Sequence, residues 1–146
     1  MSSIPLTQAI ASLNYVAVLT ATVAGFMLGW LWYSPVLFAK PWMAEMKITE
    51  ETMKEAAQKG MAHYFIKGFL YTLLGTFGLA VLLKVSGTGG AANSAVVGAF
   101  VGFAVDGARL LNTSVWENRS LRLLSINLGH EVGLFMLQGA VLGAWH

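Results

Sequence analysis

Residues 13–33 read LNYVAVLTATVAGFMLGWLWY, a run without a single aspartate, glutamate, lysine, arginine or histidine. A helix needs about 20 mostly apolar residues to cross the hydrocarbon core of a bilayer, and this run has that length and character. No basic segment precedes it, since the first positive side chain is Lys40. A cleaved signal peptide normally begins with such a segment, so we interpret the run as a retained transmembrane helix.

The rest of the chain has the same character. Of its 146 residues, 56% are hydrophobic and 11% are charged, whereas soluble domains carry about 25% charged residues. Three further apolar stretches follow, at residues 64–83, 91–116 and 121–145. The sequence therefore predicts an all-α membrane protein, in which four transmembrane helices form one bundle and a single domain covers residues 1–146.

Basic residues in the connections predict the orientation of these spans. Cytoplasmic loops of membrane proteins carry an excess of lysine and arginine. The second connection has only Lys84 and the terminal tails have none, whereas the first and third connections hold Lys40, Lys47, Lys54, Lys59, Arg119 and Arg122. We therefore expect a multi-pass protein of the bacterial inner membrane with both termini on the non-cytoplasmic side.

Aromatic residues fit this orientation. Tryptophan and tyrosine concentrate at membrane–water interfaces, where one end of the ring is apolar and the other is wet. The expected interface anchors at the cytoplasmic boundary are Trp32, Tyr33, Trp42 and Trp116.

The first connection is long enough to contain its own helix. Thr49 is a suitable N-cap, and Glu50 and Glu51 in the first turn suit the positive end of the helix dipole. Gly60 is a plausible stop. We expect a short amphipathic helix at the cytoplasmic surface between the first two spans.

Small residues recur four positions apart, a spacing that lets helix backbones approach closely in lipid. Two readings of this pattern stay open at the level of sequence. The glycines pack the bundle internally, or they form the face of a homo-oligomer. The pairs are Gly25 with Gly29, Gly98 with Gly102, Gly129 with Gly133, and Gly139 with Gly143.

The third and fourth spans hold polar residues that are costly in a membrane and mark function by default. With the turn between these spans near Asn118, a rise of about 1.5 Å per residue puts Asp106 and Glu131 at one depth near mid-membrane. Arg109 and Asn127 match each other about one turn nearer the cytoplasm. We expect an antiparallel hairpin to bring these four residues together with His130.

Two interpretations of this group remain open. Burial and like charge both disfavour two ionised carboxylates, so one of Asp106 and Glu131 could hold an exchangeable proton, as in a proton-coupled carrier. Alternatively, Arg109 neutralises one acid and His130 or Asn127 bonds the other, and the group is a static network that fixes helix register.

Several classes of function lack support. The chain has no cysteine, which excludes thiolate chemistry and disulfides. His63, His130 and Glu131 lack metal-ligand spacing, and the common catalytic and nucleotide-binding motifs are absent. A net charge of +2 is too small to suggest nucleic acid. We expect no enzyme activity, no metal, no cofactor and no nucleic-acid partner.

Two stretches resemble a known family. They are NYVAVL at residues 14–19 with GWLWYSPVLFAKPW at 29–42, and LNTSVWENRSLRLLSIN at 111–127. They are similar to small bacterial membrane proteins classified as a domain of unknown function. Its members begin with Asn-Trp-x-Ala-Val and carry Leu-Trp-Tyr-Ser-Pro-x-Leu-Phe-Gly-Lys-x-Trp and Leu-Asn-Asn-x-x-Phe-Glu-Gly-Arg-Pro-Leu-Lys-Leu-x-x-Ile-Asn. The resemblance implies four membrane helices and a bacterial inner membrane, but no activity.

This chain departs from that pattern at Tyr15, Trp116, Asn118 and Ser120, which replace Trp, Phe, Gly and Pro. His130 and Glu131 also stand where many members have an aromatic or uncharged residue, which argues against a proton mechanism common to the family.

Two functions follow as hypotheses. One is a small transporter or channel-like protein with its pathway at Asp106, Arg109, Asn127, His130 and Glu131. The other is a non-catalytic accessory or scaffold subunit of a larger membrane assembly. The partners expected are the lipid bilayer and either other copies of the chain or other membrane subunits. A lipid-modifying enzyme at the cytoplasmic interface has only Glu117 as an obvious acid. An accessible cavity at Glu131 would favour transport, and a dry, fully bonded network would favour the scaffold.

Overall fold

The computed structural model describes residues 4–145, and its regular elements over that range are all helical. The all-α class is therefore confirmed. The elements are α1 (Leu6–Ala11), α2 (Tyr15–Trp32), α3 (Ala39–Glu45), α4 (Glu50–Gln58), α5 (Ala62–Ser86), α6 (Ala91–Val101), a π-helical segment (Gly102–Asp106), α7 (Gly107–Trp116) and α8 (Leu121–Ala144).

Three helices have the length and composition to cross a membrane: α2, α5 and the continuous rod Ala91–Trp116 formed by α6, the π segment and α7. They agree with the first three predicted spans and with a membrane protein. The fourth predicted span is the helix α8. It has 24 residues, but its polar side chains lower its mean hydropathy, and it is not among the three. These side chains are Asn127, His130, Glu131 and Gln138.

Local sequence signals explain where α2 begins and ends. The side chain of Asn14 caps the helix by accepting a hydrogen bond from the backbone N–H of Ala17 at 3.1 Å, a usual role for asparagine at this position. The helix ends at Trp32, and Ser34 and Pro35 follow it. Proline disfavours the helical conformation in the residue before it, so the chain turns here into α3.

The two tight turns use left-handed residues. Gly87 ends α5 with φ 66°, and the N–H of Thr88 donates to the carbonyl of Leu83 at 3.0 Å. Asn118 has φ 50° after α7. Asparagine is the non-glycine residue best suited to that conformation, which explains how the turn forms without glycine.

Three short helices lie before α2 and in the connection between α2 and α5. The first, α1, packs against α5 and was not expected from the sequence, because six residues are too few to show a helical period. The second, α3, contacts α8, and its last residue Glu45 accepts a hydrogen bond from Ser120 Oγ. The third, α4, begins after Thr49, whose side chain accepts from the N–H of Thr52 at 3.2 Å. It buries no residue.

The helix α8 is the centre of the bundle. It packs most closely on α6 and next on α2, whereas its contact with α5 is slighter. In turn α5 packs on α2 and scarcely meets α6. An apolar core joins α2, α5 and α8 towards the start of α2, around Ala17, Ala21, Leu79, Leu83 and Leu142. At the level of the other half of α2, a gap remains between α5 and the π segment, with α8 behind it.

Candidate functional site

The rod and α8 meet along a seam of glycines. A Cβ added at Gly98 would overlap the backbone oxygen of Phe135, and one at Gly102 would lie 2.7 Å from the backbone oxygen of Glu131. On α8, a Cβ at Gly139 would overlap the backbone of Ser94, and one at Gly143 would lie 2.5 Å from the backbone oxygen of Gly90. These glycines therefore pack the bundle internally, which is one of the two readings of the spacing.

The π segment places Asp106 beside this seam. Gly98, Gly102 and Gly107 all face α8, and a Cβ at Gly107 would lie 2.9 Å from Leu128 Cδ1. Their spacing is four and then five residues, because the π turn adds one residue to the regular period. In a regular helix position 106 would follow Gly102 on the seam, against the backbone of α8. The extra residue puts Gly107 there and turns Asp106 to the side.

Asp106 thereby reaches the gap. Arg109 Nε–H donates to Asp106 Oδ1 at 3.3 Å, but the arginine side chain is 62% exposed and lies on the outer surface. On its other side Asp106 lines a cavity of about 370 Å³, which we name the acidic cavity. Its polar wall consists of Asp106, His130, Glu131 and Gln138, and α5 forms the opposite wall with Tyr71, Thr72, Leu74 and Gly75.

Glu131 and His130 form the middle of the polar wall. His130 Nδ1 lies 3.3 Å from Glu131 Oε1, and both side chains are largely buried. His130 Nε2 is buried without a hydrogen-bond partner among the described residues. It lies 3.1 Å from where a Cβ of Gly29 would be, so this glycine on α2 provides the space for the imidazole.

Gln138 is the most unusual residue of the cavity. Its side chain is buried, with the residue only 1% exposed, yet neither amide atom has a hydrogen-bond partner within residues 4–145. A Cβ at Gly25 would lie 2.6 Å from Gln138 Nε2, so a second glycine on α2 makes room for a polar side chain of α8. Most buried polar groups in proteins are paired, and an amide with both ends free points to a missing partner.

The end of α2 extends the polar wall. Tyr33 Oη donates to Asn127 Oδ1 at 3.1 Å, and Trp32 Nε1–H donates to the carbonyl of Ile126 at 3.1 Å. The Tyr33 ring lies 5.1 Å from the His130 ring. A second cavity of about 410 Å³ lies between α2 and α5, and it shares Thr72, His130 and Leu134 with the acidic cavity.

The structure therefore divides the predicted group. Asp106, His130 and Glu131 surround one cavity, whereas Arg109 lies outside it and Asn127 bonds Tyr33 one turn away. Among the predicted anchors, Trp32 and Tyr33 donate hydrogen bonds to α8, the ring of Trp42 lies 5.3 Å from that of Tyr33, and Trp116 is 82% exposed.

Gln138 was not among the predicted site residues, although the polar stripe that it forms with Asn127 and Glu131 on one face of the helix predicted that it points inward. The residues of α5 gave no such signal, because Tyr71 and Thr72 are ordinary in an apolar helix. Over residues 4–145, no three histidine, aspartate or glutamate side chains come close enough to hold a metal ion.

A family model described as "Protein of unknown function (DUF1761)" matches residues 16–143. The chain belongs to this family. The matched region runs from the start of α2 almost to the end of α8, and it includes every residue of the acidic cavity. It agrees with the resemblance seen in the sequence. No curated protein and no solved structure gives a significant match to this DUF1761 chain.

Proposed function

We propose that this chain is a small multi-pass carrier of the bacterial inner membrane, and that the acidic cavity binds its cargo and a coupling proton. The observation that carries the proposal is the cavity itself, which reaches Glu131 and Asp106 and leaves Gln138 unpaired. Ionisable residues at membrane depth mark substrate pathways and proton relays. A dry, fully bonded network would have favoured a structural role instead.

The distribution of polar and apolar residues supports one-sided access. Polar groups follow α8 from Asn127 through His130 and Glu131 to Gln138, beside two cavities that share lining residues. Beyond Gln138, the apolar core around Leu79, Leu83 and Leu142 closes the bundle. A carrier needs a central site that is open to one side and blocked from the other by packed helices.

The chemistry of the wall suits proton exchange. Glu131 and His130 are in contact at 3.3 Å, so a proton can pass between the imidazole and the carboxylate without a large movement. Tyr33 and Asn127 continue the polar groups towards the end of α2. A cationic cargo and a proton would compete for the same carboxylates, and that competition couples their movements.

We further propose that α8 crosses the membrane, giving four spans. The support is the glycine contact between α6 and α8, which extends from Gly102 beside Glu131 to Gly143 beside Gly90. Two helices in contact along that length pass through the same depth. Enclosure by α2 and α6 makes the polar residues of α8 tolerable in a membrane.

The lysine-rich connection supports a cytoplasmic location for α4 and for the turn at Asn118. Both termini are then non-cytoplasmic. With Glu50, Glu51, Lys54 and Glu55 on a helix that buries nothing, α4 fits an amphipathic helix at the membrane surface.

Single cysteines test this topology cleanly, because the chain has none of its own. Lys54→Cys, Thr88→Cys and Ala144→Cys are each treated with a membrane-impermeant maleimide in intact spheroplasts and in lysed membranes. With four spans, positions 88 and 144 react from outside and position 54 reacts only after lysis. If position 144 behaves like position 54, α8 does not cross.

Transport is tested in proteoliposomes that contain a pH-sensitive dye and hold an imposed potassium diffusion potential. Small amines, carboxylates and sugars are added one at a time. We expect at least one solute class to change the internal pH faster than in protein-free liposomes. Glu131→Gln and Asp106→Asn should remove this change, whereas Glu117→Gln, in the exposed turn with Arg119, should retain it. Equal behaviour of the first two variants and the unmodified protein would refute the carrier.

A second candidate is an accessory subunit or a homo-oligomer, and the gap between α5 and α6 favours it. Tyr71 and Leu74, which line the gap, are exposed, and so are Phe100 and Phe103 on the rod. A helix of another subunit or another copy could fill the gap. Copurification of a second membrane chain in mild detergent, with no flux in liposomes, would support this role.

A further inference from the structure

We infer that the acidic cavity binds a small organic cation that has an ammonium group on an apolar, preferably aromatic, body. This names the cargo class of the proposed carrier and rests on that function for its biological meaning. The binding itself can be measured without any transport. Three features of the cavity carry the inference: its charge, its walls and its unpaired amide.

The ionisable side chains that line the cavity are mainly acidic. Two carboxylates, Asp106 and Glu131, line it, and its lining contains no lysine or arginine. Arg109 gives one hydrogen bond to Asp106 from the outer surface, where most of its side chain is exposed. It therefore balances one acid at most, and Glu131 has only His130 as a neighbour of possible positive charge. Partly buried carboxylates without full counter-ions favour a cationic ligand.

The walls are mostly apolar, which excludes a hydrated inorganic ion as the best occupant. Leu74 of α5 and Leu134 and Phe135 of α8 line the cavity, as does the aromatic residue Tyr71. Aromatic faces attract cations, and apolar surface favours a ligand with a hydrocarbon body. A volume of about 370 Å³ is that of a small-molecule site, at the lower end of the usual range.

The unpaired amide specifies the head group further. Gln138 presents a buried donor and a buried acceptor that have no partner in the part of the chain that the structure describes. An ammonium with N–H groups can donate to the amide oxygen while the carboxylates of the cavity balance its charge. A site built from buried polar groups rejects analogues that leave those groups unpaired. We therefore expect a primary ammonium to bind better than a quaternary one.

The test uses benzylammonium as the probe and isothermal titration calorimetry of the full chain in lipid nanodiscs, with empty nanodiscs as the blank. Benzyl alcohol and benzoate have nearly the same shape and carry no charge and a negative charge, respectively. We expect saturable benzylammonium binding at least tenfold tighter than that of benzyl alcohol, and no binding of benzoate. Benzyltrimethylammonium should bind more weakly than benzylammonium.

Variants connect the binding to the cavity. Glu131→Gln should weaken benzylammonium binding at least tenfold, and the control Glu117→Gln should leave it unchanged. Circular dichroism and size-exclusion chromatography establish that each variant is folded. If Glu131→Gln does not fold, Gln138→Leu replaces it, since it removes the amide without introducing a polar group, and it should also weaken binding.

The inference is refuted if benzyl alcohol binds as tightly as benzylammonium, if the cavity variants keep full affinity, or if no saturable binding occurs. Its failure can be distinguished from that of the carrier. Binding without any flux in liposomes leaves the cation site standing and removes the carrier. Flux that depends on Glu131, without benzylammonium binding, keeps the carrier and removes the organic cation as its cargo class.

Discussion

The two sides of α8 differ in how they meet their neighbours. Towards α6, the glycine seam lets two backbones touch, and a single added carbon at Gly98 or Gly139 would overlap main-chain atoms. Towards α5, contacts are few, and the acidic cavity occupies the space. A Cβ at Gly75 on α5 would meet only the ring of Phe135, at an ordinary 3.5 Å.

This difference separates stability from function within one helix. Without a hydrophobic force between helices in lipid, close packing is a main source of association, and the seam provides it. The polar residues of α8 lie between α2, where Gly25 and Gly29 make room for Gln138 and His130, and α5, where contacts are few and the cavity remains. The π segment joins the two sides, because it keeps glycines on the seam and turns Asp106 towards the cavity.

The largest effect is expected at the seam. Gly98→Ala forces apart two backbones that cannot adjust by rotating a side chain. Overpacking of this kind costs about 1–3 kcal/mol and occasionally more, so we expect a loss of about 3 kcal/mol in the free energy of unfolding. The measurement is thermal or denaturant unfolding in detergent.

The matched control is Gly78→Ala on α5, where nothing lies within 4 Å of the added Cβ. The midpoint of its unfolding transition should equal that of the unmodified protein or lie slightly above it. If Gly98→Ala is as stable as Gly78→Ala, the seam is looser than the geometry shows, and the contrast between the two sides of α8 disappears.

The seam was also the part most accessible from sequence. Glycines four residues apart indicate close helix contact in lipid, and the hydropathy of residues 91–116 matched the observed rod Ala91–Trp116. The π segment was not predictable in this way. Whether a helix contains an extra residue depends on the positions of the partner helix that it must contact. The periodicity of one helix carries no information about that partner.

The cavity shows the same limit. Counting residues from the turn near Asn118 predicted that Asp106 lies near Glu131, and both line one cavity. The sequence could not show that Arg109 lies outside the cavity, because the direction of a side chain around the rod depends on the π turn. From the sequence, Tyr33 was predicted to be an interface anchor. Nothing in the first span indicates that it donates a hydrogen bond to Asn127, which is 94 residues away in the chain.

A smaller effect, of opposite sign, is expected at Gln138. Gln138→Leu removes an amide whose two ends are unpaired, and leaving such a group buried costs about 1–3 kcal/mol. We expect the unliganded variant to be more stable by about 1 kcal/mol, with weaker benzylammonium binding. The paired gain in stability and loss of affinity is typical of a functional site, and a melting curve with and without the probe measures both.

Gln58→Leu serves as the control for that substitution, because Gln58 is exposed at the end of α4 and should change stability by no more than about 0.5 kcal/mol. A Gln138→Leu protein that melts earlier than the unmodified chain would mean that the amide is already paired in the membrane. The unpaired amide would then no longer support a ligand.

The smallest effect is expected on the loose side. Gly75→Ala adds a methyl group at an ordinary contact distance from Phe135, and alanine favours the helix over glycine by about 1 kcal/mol. We expect the free energy of unfolding to increase by between zero and about 1 kcal/mol. Since Gly75 also lines the cavity, the added carbon should reduce benzylammonium affinity slightly. A loss of stability as large as that of Gly98→Ala would show that α5 closes tightly on α8, and a closed α5 would leave no cavity for a cation.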